Sequence, residues 1–152
     1  MKRLISDPLL SWKDRPNRKP LIVRGARQVG KSWSVIDFGR NCFSGQVHVV
    51  DLEKHPDWHR VFEPNLDARR ILEELEMLLN TRIVPGDDLL FIDEIQECPK
   101  AIMALRYFYE QIPGLHVIAA GSLLEFALED ISFPVGRVQM VNMYPMNFAE
   151  FL

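Results

Sequence analysis

The chain has 152 residues, 47% hydrophobic and 26% charged, which fits one soluble globular domain around a single core and leaves no room for a second full domain. Its formal charge of −3 gives no global electrostatic case for nucleic acid, and Cys42 and Cys98 lie far apart with no C-x-x-C spacing, as free thiols of a reducing cytoplasm do. The apolar run after Met1-Lys2-Arg3 is too short for a signal peptide and no stretch approaches the length of a membrane span, so a cytoplasmic protein without a membrane partner is expected.

Residues 1–20 read as an N-terminal helix and a basic linker, in which Lys13, Arg15, Arg18 and Lys19 are interleaved with Asp14, Pro16 and Asn17 in the manner of a solvated loop. The next unit, 21–152, opens on the apolar strand Leu21-Ile22-Val23. Directly after it comes Gly25-Ala26-Arg27-Gln28-Val29-Gly30-Lys31-Ser32, which fits G-x-x-x-x-G-K-[ST] and predicts a phosphate-binding loop between a strand and a helix running on through Trp33 to Phe38. Its glycines allow a tight turn whose N–H groups, with the positive end of the helix, surround the α- and β-phosphates of a nucleotide. Lys31 would reach the β- and γ-phosphates, and the Ser32 hydroxyl would ligate Mg²⁺. The side chains of Arg24 and Arg27 read as solvated or locally paired.

Strand and helix signals then alternate. Val47 to Val50 is a β-branched strand. His55 and His59 have the spacing of a metal pair, but Pro56 between them and the lack of a third ligand nearby make them ordinary surface. A helix is expected from about Asn65, with Ala68, Ile71, Leu72, Leu75, Leu78 and Leu79 on its apolar face and Arg69/Glu73 and Arg70/Glu74 as i,i+4 pairs. Leu89-Leu90-Phe91-Ile92, apolar throughout, reads as a strand at the buried centre of a parallel sheet, ending in Asp93-Glu94. Ligands bind beyond the carboxyl ends of such strands, which places Asp93 to hold Mg²⁺ and Glu94 to orient and deprotonate an attacking water. Gln96 is near enough in sequence to contact the surroundings of Glu94, with no role assigned to it. Pro99 opens a helix whose expected buried stripe is Ile102, Leu105, Phe108, Tyr109 and Ile112, closed by Pro113-Gly114. His116 to Ala120 is a further strand with Gly121-Ser122 at its carboxyl end, and Val138 to Val141 is the last strand candidate. Asn147 and Glu150 have the spacing of a capping box, so another helix is expected to start there and the chain to be the first part of a longer protein.

Taken together, the sequence resembles the AAA+-type ATPases of archaea and bacteria that carry a nucleotide-binding domain, a winged-helix region and a C-terminal nuclease-like domain of unknown function. Four stretches carry the resemblance: Lys19 to Ser32, Leu90 to Gln96, Ala120-Gly121-Ser122, and Gly136-Arg137 with Tyr144-Pro145 and Phe148 to Phe151. It implies an α/β P-loop NTPase fold, a three-layer sandwich whose mainly parallel five-stranded sheet has the order 5-1-4-3-2, with ATP and Mg²⁺ as ligands. It also implies hydrolysis assisted by a neighbouring copy in a homo-oligomer, with Ser122 as a sensor of the γ-phosphate or water and Arg137 as an arginine finger. Residues 21–152 would then be an AAA+-like ATP-binding core that stops before its helical lid. Leu123 and Met146-Asn147 depart from the family's usual residues. A slow nucleotide-dependent switch or scaffold stays open as an alternative, as does a small-molecule kinase, against which Glu94 counts because a phosphate-transfer enzyme must avoid activating water.

Overall fold

Apolar runs without polar alternation become strands covered on both faces. In a computed structural model, which describes residues 6–15, 18–25, 30–122, 136 and 138–142, the strands are β1 (Leu21–Arg24), β2 (Val47–Asp51), β3 (Leu89–Asp93), β4 (His116–Gly121) and β5 (Gln139–Asn142). All pair in parallel, in the order β2-β3-β4-β1-β5, which is the expected 5-1-4-3-2 read from the other edge. The helices between them are α1 (Ser6–Lys13), α2 (Lys31–Cys42), α3 (Ala68–Leu79) and α4 (Pro99–Gln111), with 3-10 turns at Pro56–Phe62 and Ile95–Glu97.

Side-chain alternation along the strands divides the core in two, as it must when a sheet is covered on both faces. Ile22, Leu90, Ile92, Val117 and Ala119 pack with the apolar faces of α3 and α4. Leu21, Val23, Leu89, Phe91, Ile118 and Ala120 pack with Leu9 and Trp12 of α1 and Val35 and Phe38 of α2. Every residue of β3 and β4 is buried, whereas β2 alternates between buried and half-buried positions, as befits its place at the edge. At Gly39 a Cβ would run into Val47 Cγ2 and Leu89 Cδ2, so the absence of a side chain there lets α2 lie close on the sheet.

The structure adjusts several local expectations. α3 starts at Ala68 rather than near Asn65, because Asn65 and Asp67 spend their side chains on backbone N–H groups: Asn65 Oδ1 accepts from Asp67 N at 3.1 Å, and Asp67 Oδ2 caps the helix by accepting from Arg70 N at 3.0 Å. Of the two i,i+4 pairs, Arg70–Glu74 forms at 3.1 Å, while Arg69 donates to Gln111 O at 3.4 Å. Tyr109 is only half-buried, and Ala101 and Ala104 complete the buried stripe of α4 instead. Nor is the basic segment merely solvated. Trp12 Nε1 donates to Lys19 O at 2.6 Å, the Arg18 guanidinium sits 5.8 Å from the Trp12 ring centre, and Lys13 Nζ sits 5.2 Å from that of Phe43.

This N-terminal packing encloses His116, whose ring meets the edges or faces of Phe43 and Trp12 at centroid distances of 4.7 and 5.9 Å. Its Nδ1 finds no hydrogen-bond partner among the described residues. Burial, with the nearby charges of Arg18 and Lys13, lowers the imidazole from 6.5 to about 4. Between those two values the unfolded chain binds a proton that the native chain refuses, so native stability is intact above pH 6.5 and falls as pH drops toward 4. The expected slope from this group is up to about 1.4 kcal/mol per pH unit. His116→Phe keeps an aromatic ring and removes the proton site. Urea unfolding between pH 7.5 and 4.5 should therefore be flatter in the variant, and equal slopes in both proteins would show that His116 is not the titrating group.

Candidate functional site

β1, β4 and β3 are neighbours in the sheet, so their carboxyl ends lie side by side although they are remote in sequence. The connection from β1 to α2 starts at Gly25, whose N–H donates to Gly121 O at the end of β4 at 3.3 Å. Ala26, Arg27, Gln28 and Val29 lie outside the described residues. Gly30 closes the connection at φ 83, ψ 23, a left-handed conformation that is costly for residues with a Cβ. As N-cap of α2, Gly30 offers no side chain to the first N–H groups of the helix, and the first turn holds no acidic residue. The first N–H groups and the positive end of α2 thus lie directly after Gly30, a setting that suits an anion. Lys31, the first residue of α2, is 95% covered and donates from Nζ to Gly25 O at 3.1 Å.

The helix start is tied to β3 by one short bond: Ser32 Oγ donates to Asp93 Oδ2 at 2.5 Å. Asp93 Oδ1 accepts from Glu94 N at 2.9 Å, and Asp51 is its register partner on β2. Burial holds the Asp93 carboxyl above its ordinary value in spite of the Ser32 hydrogen bond, and the charges of Glu94 and Asp51 push the same way. A hydroxyl and a carboxylate are hard oxygen donors of the kind Mg²⁺ takes, and a divalent cation would offset this concentration of negative charge. Among the described residues no group of three or more His, Cys, Asp or Glu side chains could hold a metal by itself. His55 stacks on Trp58 at 3.8 Å between ring centres, and His59 Nε2 bonds to Leu52 O at 2.7 Å.

Beyond Asp93 the chain turns sharply. Glu94 adopts φ 53, ψ 47, a left-handed conformation that is uncommon for a residue with a side chain, and the 3-10 turn Ile95–Glu97 follows. Gln96, which the sequence placed within reach of the surroundings of Glu94 without a role, returns from this turn so that its Nε2 donates to Glu94 Oε2 at 2.6 Å. Ser122 closes the group from β4. It is 2% exposed, and its Oγ has no hydrogen-bond partner among the described residues. The fold thus brings Lys31, Ser32, Asp93, Glu94 and Ser122 to one end of the sheet. Arg137 lies outside the described residues.

A parallel five-stranded sheet in this order, with a glycine-bounded connection from β1 into a helix and an acidic pair ending β3, defines a P-loop nucleoside-triphosphatase fold of the AAA type. The family model described as AAA domain matches residues 17–152, and the chain belongs to that family. It is therefore a nucleotide-binding, ATPase-like domain. Among solved structures it is similar to a chain in the structure of Drosophila ORC bound to DNA, with a TM-score of 0.60 and 16% identity over 95% of this chain. That likeness is one of fold, and this chain spans 43% of the length of the other. No curated protein matches it. No helix among the described residues is long and apolar enough to cross a membrane.

Proposed function

We propose that the chain binds Mg-ATP at the carboxyl ends of β1, β3 and β4 and hydrolyses it. The observation that carries this reading is the 2.5 Å bond between Ser32 Oγ and Asp93 Oδ2, which joins the phosphate-loop helix to the acidic end of β3. The backbone from Gly25 to Ser32 and the Lys31 ammonium hold the phosphates, and Ser32 and Asp93 hold the ion. Mg²⁺ supplies neutralisation of charge on the β- and γ-phosphate oxygens. Glu94 accepts the proton of the attacking water, and the Ser122 hydroxyl, which has no partner among the described residues, contacts the γ-phosphate or that water. Arg137 is assigned to a neighbouring copy's nucleotide, where its guanidinium would neutralise charge on the transferred group.

Release of inorganic phosphate from Mg-ATP with no acceptor added tests the reading. Its occurrence excludes a kinase that waits for its acceptor, and its absence despite tight binding would overturn the hydrolase assignment. Turnover far below ~1 s⁻¹ with tight binding would mark a nucleotide-dependent switch instead.

A further inference from the structure

Gln96 is tied at both ends of its carboxamide. Nε2 donates to Glu94 Oε2 at 2.6 Å, and Oε1 accepts from Ser122 N at 3.3 Å. The orientation of the amide is fixed by chemistry, since an ionised carboxylate only accepts and a backbone N–H only donates. One side chain therefore spans from the end of β3 to the end of β4. Two features of the chain make the span possible: the left-handed Glu94, which reverses the direction of the backbone, and the 3-10 turn that brings position 96 back over position 94. The Nε2 bond occupies one oxygen of Glu94, and among the described residues no hydrogen bond to the other is seen. The second bond, from Ser122 N to Gln96 Oε1, anchors Ser122 by its backbone, so that the buried Oγ is not the group holding Ser122 in place.

We infer that Gln96 is a positioning residue: it orients the Glu94 carboxylate for proton abstraction and couples that carboxylate to Ser122. The inference rests on the reading of Glu94 as the base. A displacement of Ser122 by a contact at its hydroxyl passes through a single carboxamide to Glu94, so occupancy at the end of β4 and the orientation of the base change together.

Two substitutions at position 96 separate this role from simple support of the backbone. Gln96→Glu keeps an acceptor for Ser122 N–H but sets a second carboxylate against Glu94, whereas Gln96→Met removes both hydrogen bonds and adds no charge. If Gln96 acts by donating to Glu94, kcat falls about ten-fold or more in Gln96→Met, a size typical of losing one hydrogen bond to a charged group. It falls further in Gln96→Glu, whose acid limb of kcat against pH moves to higher pH. The Kd for Mg-ATP should stay within about two-fold of the parent in both. Support of Ser122 alone predicts the reverse ranking, with Gln96→Glu the more active, and that ranking overturns the inference.

A wild-type rate in Glu94→Gln defeats the assignment of the base itself. An impaired Glu94→Gln beside an unimpaired Gln96→Met defeats only the role of Gln96. A readout independent of turnover is the Gln96 side-chain amide by NMR. Its protons should resonate downfield and exchange slowly, and lose both properties in Glu94→Ala. Ordinary solvent-exposed amide behaviour in the parent protein would remove the bridge whatever the rates.

Discussion

Glu94→Gln is expected to bind Mg-ATP with near-parental affinity and to release phosphate at a rate lower by roughly 10²-fold or more. The amide preserves the shape of the side chain but cannot take a proton from water, so the loss falls on kcat and not on binding. The arrangement at Gln96 sharpens this expectation: Gln96 Nε2 is the partner of Glu94 Oε2, and a glutamine at position 94 can still offer it a carbonyl oxygen. The folded state should consequently be little disturbed. Phosphate release at the parental rate would make Glu94 a structural residue. Mixing adds a second arm: if Arg137 acts on a neighbouring copy's nucleotide, Glu94→Gln and Arg137→Ala chains carry complementary intact halves of the site. Once subunit exchange has been demonstrated, activity should reappear in the mixture, and its failure to do so would exclude an Arg137 acting across the interface.

Lys31→Ala is expected to abolish tight Mg-ATP binding in a titration. Nearly all of the Lys31 side chain is enclosed, and its ammonium donates to Gly25 O inside the loop, where a triphosphate would offer far more negative charge than a carbonyl. Removing the only lysine of the loop leaves the backbone donors and the α2 terminus to hold phosphate alone. The stability of the apo-protein is the control, since Lys31 occupies the first turn of a helix whose packing rests on Val35, Phe38 and Gly39. Unchanged affinity in a folded Lys31→Ala protein would place the phosphates elsewhere.

Much of the sheet is legible in the sequence because β3 and β4 are covered on both faces, and uninterrupted runs such as Leu89 to Ile92 have few other places to go. Ser32 and Asp93, 61 residues apart, could be matched in advance because each sits in a short motif whose chemistry presupposes the other. Gln96 carried no such label. Its contact depends on a left-handed backbone at Glu94 and on a strand whose end arrives 26 residues later, neither of which leaves a periodic trace. The same holds for α1: eight residues give too little pattern to show that Leu9 and Trp12 are fully enclosed against α2 and β4. Tyr109 fits the helical stripe by spacing yet stays half-exposed, since alanines at 101 and 104 bring α4 close to its neighbours on one side.

β4 lies between β1 and β3 in space but follows both in the chain. During synthesis, β1 and β3 emerge with an unfilled lane between them, and each presents an unpaired edge on a strand that is apolar on both faces. His116–Gly121 closes both edges at once, at the entropic cost of two long loops. α2 rests directly on β2 and β3, but β1, whose end opens the phosphate loop, is joined to β3 only through β4, so the two sides of the nucleotide site come into register when that strand pairs. The non-local pairing of β4 is therefore expected to coincide with the gain of ligand affinity. In pulse-labelled refolding, amide protection in β1, β3 and β4 should rise in a single phase together with nucleotide binding, and a β1 protected well before β4 would contradict it.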